Sequence, residues 1–157
     1  MSIDDIIEYV TALGGVLTLR PQRGDGAPEI SWGDVFFYYA PDGQLPKTQP
    51  FATIVTKDYP DEPGSGLDRA DAYRLNIFAG AAEFRAVTGR GPCERTPPDS
   101  APSTPDVLIP HPVYGHLAWL AVINPAERTS STALELLDSA HRAARARFQR
   151  RSGQAVP

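Results

Sequence analysis

Seven prolines fall between residues 92 and 112, among several serines, threonines and aspartates. Proline lacks a backbone N–H and fixes φ, so neither a regular helix nor an interior strand can run through that stretch. The 45 residues beyond it are too few for an independent core. The stretch is therefore read as an excursion at about 90–112 inside one domain, 1–151. Residues 152–157 are read as a disordered tail.

Periodicity organises the rest. Ile3, Ile6, Ile7, Val10 and Leu13 recur at helical spacing. Ser2 is suited to cap that helix, Asp4 and Asp5 place negative charge in its first turn, and Gly14-Gly15 supplies the stop. Val16 to Arg20, Val35 to Tyr39, Phe51 to Lys57 and Tyr73 to Phe78 read as strands, with Tyr73, Leu75 and Ile77 on one face. Pro41-Asp42-Gly43 marks a turn. Ala81 to Thr88 is expected to form a short helix closed by Gly89. Leu117 to Asn124 is expected to form a strand carrying Trp119. A long helix then runs from a cap at Thr129, Ser130 or Ser131 to about Arg150. Its apolar face is Leu134, Leu137, His141, Ala144 and Phe148. Strands joined by turns, with an amphipathic helix at each end, predict an α+β two-layer sandwich. Its sheet is mostly antiparallel, with the N- and C-terminal helices packed on one face.

Charge limits the partners. Residues 1–126 carry 9 basic and 16 acidic side chains, a net of −7, and residues 127–157 carry 6 and 3, a net of +3. Phosphate recognition usually rests on a dominant basic surface, so nucleic acid is not the expected partner. The apolar runs Val35–Ala40 and Leu117–Ile123 fall well short of the roughly 20 residues of a membrane span. The acidic start lacks the basic and apolar regions of a signal peptide, and a cytoplasmic protein is expected. Cys93 is the single cysteine, so no internal disulfide is available.

Several segments together carry a resemblance. They are Ile3-Asp4-Asp5-Ile6-Ile7, the run Ser31-Trp32-Gly33-Asp34 through Pro41, Phe51 through Pro60, and His111-Pro112-Val113-Tyr114-Gly115 with Trp119. The set resembles an uncharacterised domain family of high-GC bacteria, from about residue 2 to residue 150. More distantly, a tryptophan-bearing strand before a long C-terminal helix is similar to the MmcQ/YjbR-like proteins. That likeness implies a secretion-chaperone-like two-layer fold, and a DNA-binding module as one functional alternative.

The segment richest in chemistry is His111-Pro112-Val113-Tyr114-Gly115-His116. Histidine transfers protons near neutral pH and tyrosine donates to a developing oxyanion, so His111, Tyr114 and His116 are the candidate catalytic residues. Proline and glycine can equally fix a tight turn there, with the imidazoles capping backbone groups. A ligand site would also draw on the aromatic Trp32, Tyr39 and Trp119 and on Lys57 at a strand end. The five-residue spacing of His111 and His116 suits no usual zinc pattern, and a third ligand such as Asp58 would have to join them, so no metal is expected. No nucleophile elbow, phosphate-binding loop or dinucleotide fingerprint is present, so no cofactor is expected and binding is favoured over catalysis. The expected function is a binding or interaction domain, a monomer or homodimer, for a small apolar or aromatic ligand or a protein partner. The alternative is a small cofactor-independent enzyme using His/Tyr acid–base chemistry.

Overall fold

The N-terminal helix begins with a reciprocal cap. The Ser2 hydroxyl accepts the Asp5 N–H at 3.1 Å, and the Asp5 carboxylate accepts the Ser2 N–H at 2.7 Å. This opens α1 (Ile3–Ala12), which buries Ile6 and Val10 completely. In the computed structural model, which describes residues 1–62, 64–95 and 101–154, the elements after α1 are β1 (Val16–Leu19), β2 (Val35–Tyr39), β3 (Ala52–Val55) and β4 (Arg74–Phe78). They are followed by α2 (Gly80–Thr88), β5 (Ile109–Pro110), β6 (Trp119–Ile123) and α3 (Ser130–Gln154). The strands form one sheet in the order β1-β2-β3-β4-β6-β5, every neighbour antiparallel. The α+β architecture expected from the sequence is thus the one observed.

The helices share one face of the sheet. Val35 and Phe37, Ala52 and Ile54, Leu75 and Ile77, and Leu120 and Val122 meet Ile6, Val10, Phe84, Ala133, Leu136, Leu137 and Ala140 in a single core. The buried stripe of α3 is rotated from the expected one: Leu137 and His141 are buried, but Leu134, Ala144 and Phe148 are only half-buried. Ala133, Leu136 and Ala140 are buried with Leu137 and His141 instead. His141 bridges Gly14 O at 2.8 Å and packs edge-on to Tyr39 and Phe51, so it is a hydrogen-bonded core histidine.

Two boundaries differ from expectation. The strand expected from Leu117 begins at Trp119, because Gly115–Leu117 form a tight 3-10 turn ended by Ala118 at φ +66°. The long helix continues to Gln154, beyond Arg150 and into the expected tail. Residues 96–100 of the excursion and 155–157 of the tail lie outside the described residues. Proline 110 sits in the edge strand β5, where its missing donor is tolerated. No helix among the described residues is long and apolar enough to cross a membrane.

Candidate functional site

Among the described residues, no α-helix packs on the second face of the sheet. The register sets Phe36, Thr53, Asn76 and Ala121 in one row across it, and Val55, Arg74 and Ile123 in the next. At one end, the loop after β3 closes this face: Leu67 packs on Val55 and Ile123, with Tyr59 and Ala72 beside them. Beyond that small second core the face hollows into a cavity of about 510 Å³. Its walls are apolar at Phe36, Tyr38, Leu117 and Trp119, and its floor is polar at Thr53, Arg74, Asn76 and His111.

The floor is a continuous chain of hydrogen bonds. Asn76 Nδ2 donates to Thr53 Oγ1 at 3.0 Å, across the β3–β4 pair where the two residues stand opposite each other. Arg74 Nε donates to Asn76 Oδ1 at 2.8 Å, two positions along the same strand and on the same face. The guanidinium continues to Ser65 Oγ at 2.8 Å through Nη1 and to Glu62 Oε2 at 2.6 Å through Nη2. Arg74 is 2% exposed, so the Glu62 carboxylate supplies the counter-charge that such burial requires.

His111 completes the floor. Its Nδ1 accepts the Val113 N–H at 3.1 Å and the Tyr114 N–H at 3.0 Å, while Gly115 N donates to His111 O at 2.9 Å. The imidazole thus ties the turn that Pro112 and Gly115 permit. A Cβ at Gly115 would stand 3.0 Å from Pro110 Cβ, so glycine is needed there for close approach to β5. His111 Nε2 faces Arg74 Nη2 at 3.2 Å. Burial, reinforced by the Arg74 guanidinium, pushes the His111 pKa down to about 3, so the ring is neutral at physiological pH.

The expected site residues fall in different places. His111, Tyr114 and Trp119 line this cavity. Tyr114 covers the imidazole, ring centres 4.9 Å apart, and is 43% exposed at the rim. His116, two residues on, points its Nδ1 at Val113 O at 3.1 Å and is exposed, because the 3-10 turn rotates it away from His111. Tyr39 lies on the helix-bearing side, edge-on to His141 and Phe148, as strand alternation from Tyr38 requires. It borders a second hollow of about 580 Å³ with Phe51, Phe78, Arg147 and Phe148, which adjoins the first along Leu117 and Trp119.

Trp32 and Lys57 belong to another arrangement, centred on the buried Asp34. Asp34 accepts the Thr56 N–H at 2.9 Å, the Thr56 hydroxyl at 3.0 Å, the Tyr59 hydroxyl and Lys57 Nζ at 3.2 Å. Lys57 also donates to Trp32 O at 2.6 Å, and the Trp32 indole N–H to Ala27 O at 3.1 Å. Burial, then the Asp34 carboxylate, raises the Tyr59 pKa, which holds its hydroxyl protonated as a donor. Every polar group there has a partner within the chain, so this cluster fixes the β3 exit. Asp58 likewise accepts the Gly66 and Leu67 N–H groups at 3.1 and 3.2 Å. No three His, Cys, Asp or Glu side chains converge as a metal site among the described residues.

Thr53, Ser65, Arg74 and Asn76 were not singled out from the sequence, and Glu62 reads there as part of a solvated acidic loop. The signal for two of them was present: Arg74 and Asn76 alternate with Leu75 and Ile77. Alternation alone assigns such residues to solvent, and only the loop and the 109–117 segment bury them.

Searches of curated proteins and of solved structures give no match to this chain. A family model does match, over residues 1–153, and the chain belongs to the family of unknown function DUF6194.

Proposed function

We propose that this chain is a small-molecule binding domain whose ligand lies in the cavity on the helix-free face of the sheet. One observation carries the reading: a concave space of about 510 Å³ has aromatic walls and a floor of buried, mutually bonded polar side chains. Ligand sites combine these features, an apolar enclosure with a few placed polar groups that fix orientation. The acid–base alternative gains no support from His111. Its Nδ1 is engaged by two backbone N–H groups and its low pKa leaves it a poor proton acceptor at neutral pH. We propose that the likeness to the MmcQ/YjbR-like proteins extends to the fold alone; the succession of the Trp119 strand and α3 supports it.

The test is a set of flat aromatic compounds titrated into the full chain while 1H–15N shifts are followed. Binding in the cavity moves the side-chain amide of Asn76, the backbone of His111 to Tyr114 and the Trp119 indole. Shifts confined to Trp32 and the α1 surface, or none at millimolar compound, would refute the assignment. Native mass spectrometry of the freshly purified chain gives an independent readout through any retained ligand.

A further inference from the structure

His111 presents a hydrogen-bond count that the chain cannot satisfy alone. Three N–H groups point at its two ring nitrogens: Val113 N and Tyr114 N at Nδ1, and Arg74 Nη2 at Nε2. A neutral imidazole has one accepting nitrogen, and the other carries the proton. A proton on Nδ1 would oppose two backbone donors that the turn holds in place. A proton on Nε2 opposes one side-chain donor. The second arrangement keeps two bonds instead of one, so the ring is an Nε2–H tautomer.

That tautomer leaves two donors side by side. Both belong to groups almost wholly out of solvent, His111 at 4% exposure and Arg74 at 2%, and both border the cavity. Three of the five guanidinium N–H groups are already engaged, by Asn76, Ser65 and Glu62. A buried donor without an acceptor is costly, and one oxygen placed between Nε2–H and Nη2–H would satisfy both. Charge narrows the kind of oxygen. Glu62 neutralises Arg74 at 2.6 Å, and Asp61 adds a further carboxylate to the cavity lining. A second full negative charge would be repelled, whereas a neutral carbonyl would not.

We infer that the ligand is an uncharged, flat carbonyl compound whose oxygen accepts from His111 Nε2–H and Arg74 Nη2–H while its apolar body lies against Phe36, Tyr38 and Trp119. The inference rests on the binding reading above and adds the ligand's polar group to it.

Two measurements test it. Long-range 1H–15N NMR of the unliganded chain at neutral pH reads the tautomer directly. A protonated Nε2 with a bare Nδ1 is expected; the reverse would overturn the inference, because Nε2 would then accept from Arg74 and the donor pair between His111 and Arg74 would not exist. The second measurement compares acetylnaphthalene, ethylnaphthalene and naphthoate, followed by Trp119 emission in a Trp32→Phe background. The ketone should bind at least about tenfold more tightly than the hydrocarbon, the amount one or two buried hydrogen bonds supply. It should also bind more tightly than the carboxylate. His111→Asn keeps an acceptor for the two backbone N–H groups but removes the Nε2 donor, so the ketone preference should vanish. His111→Gln, whose amide reaches the Nε2 position, should restore part of it. Equal affinity of ketone and hydrocarbon in the unmodified chain would overturn the carbonyl inference and leave the cavity as an apolar site. Tightest binding by naphthoate would overturn the choice of a neutral ligand. Failure of all three probes to bind would overturn the binding reading and the inference with it.

Discussion

The Asp106 carboxylate accepts the Thr129 hydroxyl at 2.6 Å, across 23 positions of sequence. The same carboxylate accepts the N–H groups of Ala126, Arg128 and Thr129 at 2.9 to 3.0 Å, so a residue of the proline-rich excursion caps the last helix. Thr129 stands at the helix start, as the local sequence suggests, but its hydroxyl donates outward and a remote side chain does the accepting. The cap couples the excursion to α3, and with it the 109–117 segment that carries His111.

Asp106→Ala is therefore expected to lower the melting temperature and to loosen both partners at once, seen as faster amide exchange at Ala126, Arg128 and Thr129. The Thr129 hydroxyl, followed by the three backbone donors, holds the Asp106 carboxyl down to about 2 from 3.8. A depressed carboxylate contributes stability above its unfolded value and loses it as pH falls towards the folded one. The difference in stability between the parent chain and Asp106→Asn should be constant above about pH 5 and shrink between about pH 4 and 2. A difference that does not change with pH would refute the charge assignment.

Protonation of His111 sets a second acid sensitivity, at higher pH. Its folded pKa of about 3 lies below the ordinary 6.5, so only the unfolded chain takes up this proton between those values. The residue's contribution is complete above pH 6.5 and declines as pH falls towards 3, by at most about 1.4 kcal/mol per pH unit. Between pH 7 and 5 the parent chain should lose about 2 kcal/mol more than His111→Asn, by urea denaturation. Equal losses would mean that the ring charges freely in the folded state.

Arg74→Ala would strip Glu62, Ser65 and Asn76 of their common donor. Removing one member of a buried ion pair costs about 3 to 5 kcal/mol, and that loss should appear in the denaturation midpoint. Arg74→Lys should recover only part of it, since an ammonium cannot span the three acceptors in one plane. Full recovery by lysine would reduce the network to a simple charge pair.

Leu137→Asp places a carboxylate where the leucine is 0% exposed, between α3 and the sheet. The expected loss is at least about 3 kcal/mol, from an unpaired buried charge. An unchanged melting temperature would contradict the packing of α3 described above.

DNA binding should be weak. Basic charge gathers on the last helix, while residues 1–126 are net −7. Anisotropy titration near physiological salt is expected to show no submicromolar complex with duplex DNA. A tight, sequence-selective complex would refute this.

How much of the molecule was legible from its sequence differs from part to part. The helix of Ile3–Ala12, the strands of Val35–Tyr39 and Arg74–Phe78, the C-cap at Gly89 and the α+β class follow from period, capping and turn chemistry. Those signals are local, and the segments were long and regular enough to declare themselves. His111, Tyr114 and Trp119 were also recognisable, because a turn rich in histidine and tyrosine beside a tryptophan strand is uncommon chemistry. The sequence could not place Arg74, Asn76, Thr53 and Glu62 beside them. Arg74 and His111 are 37 positions apart and meet across the width of β6, which lies between β4 and β5 in the sheet. Nor could it separate Trp32, Lys57 and Tyr39 from the cavity, since composition does not say which face of a sheet the helices cover. Local propensity thus determined the elements. Strand order and the choice of covered face, set by where apolar area could be buried, decided which side chains share a site.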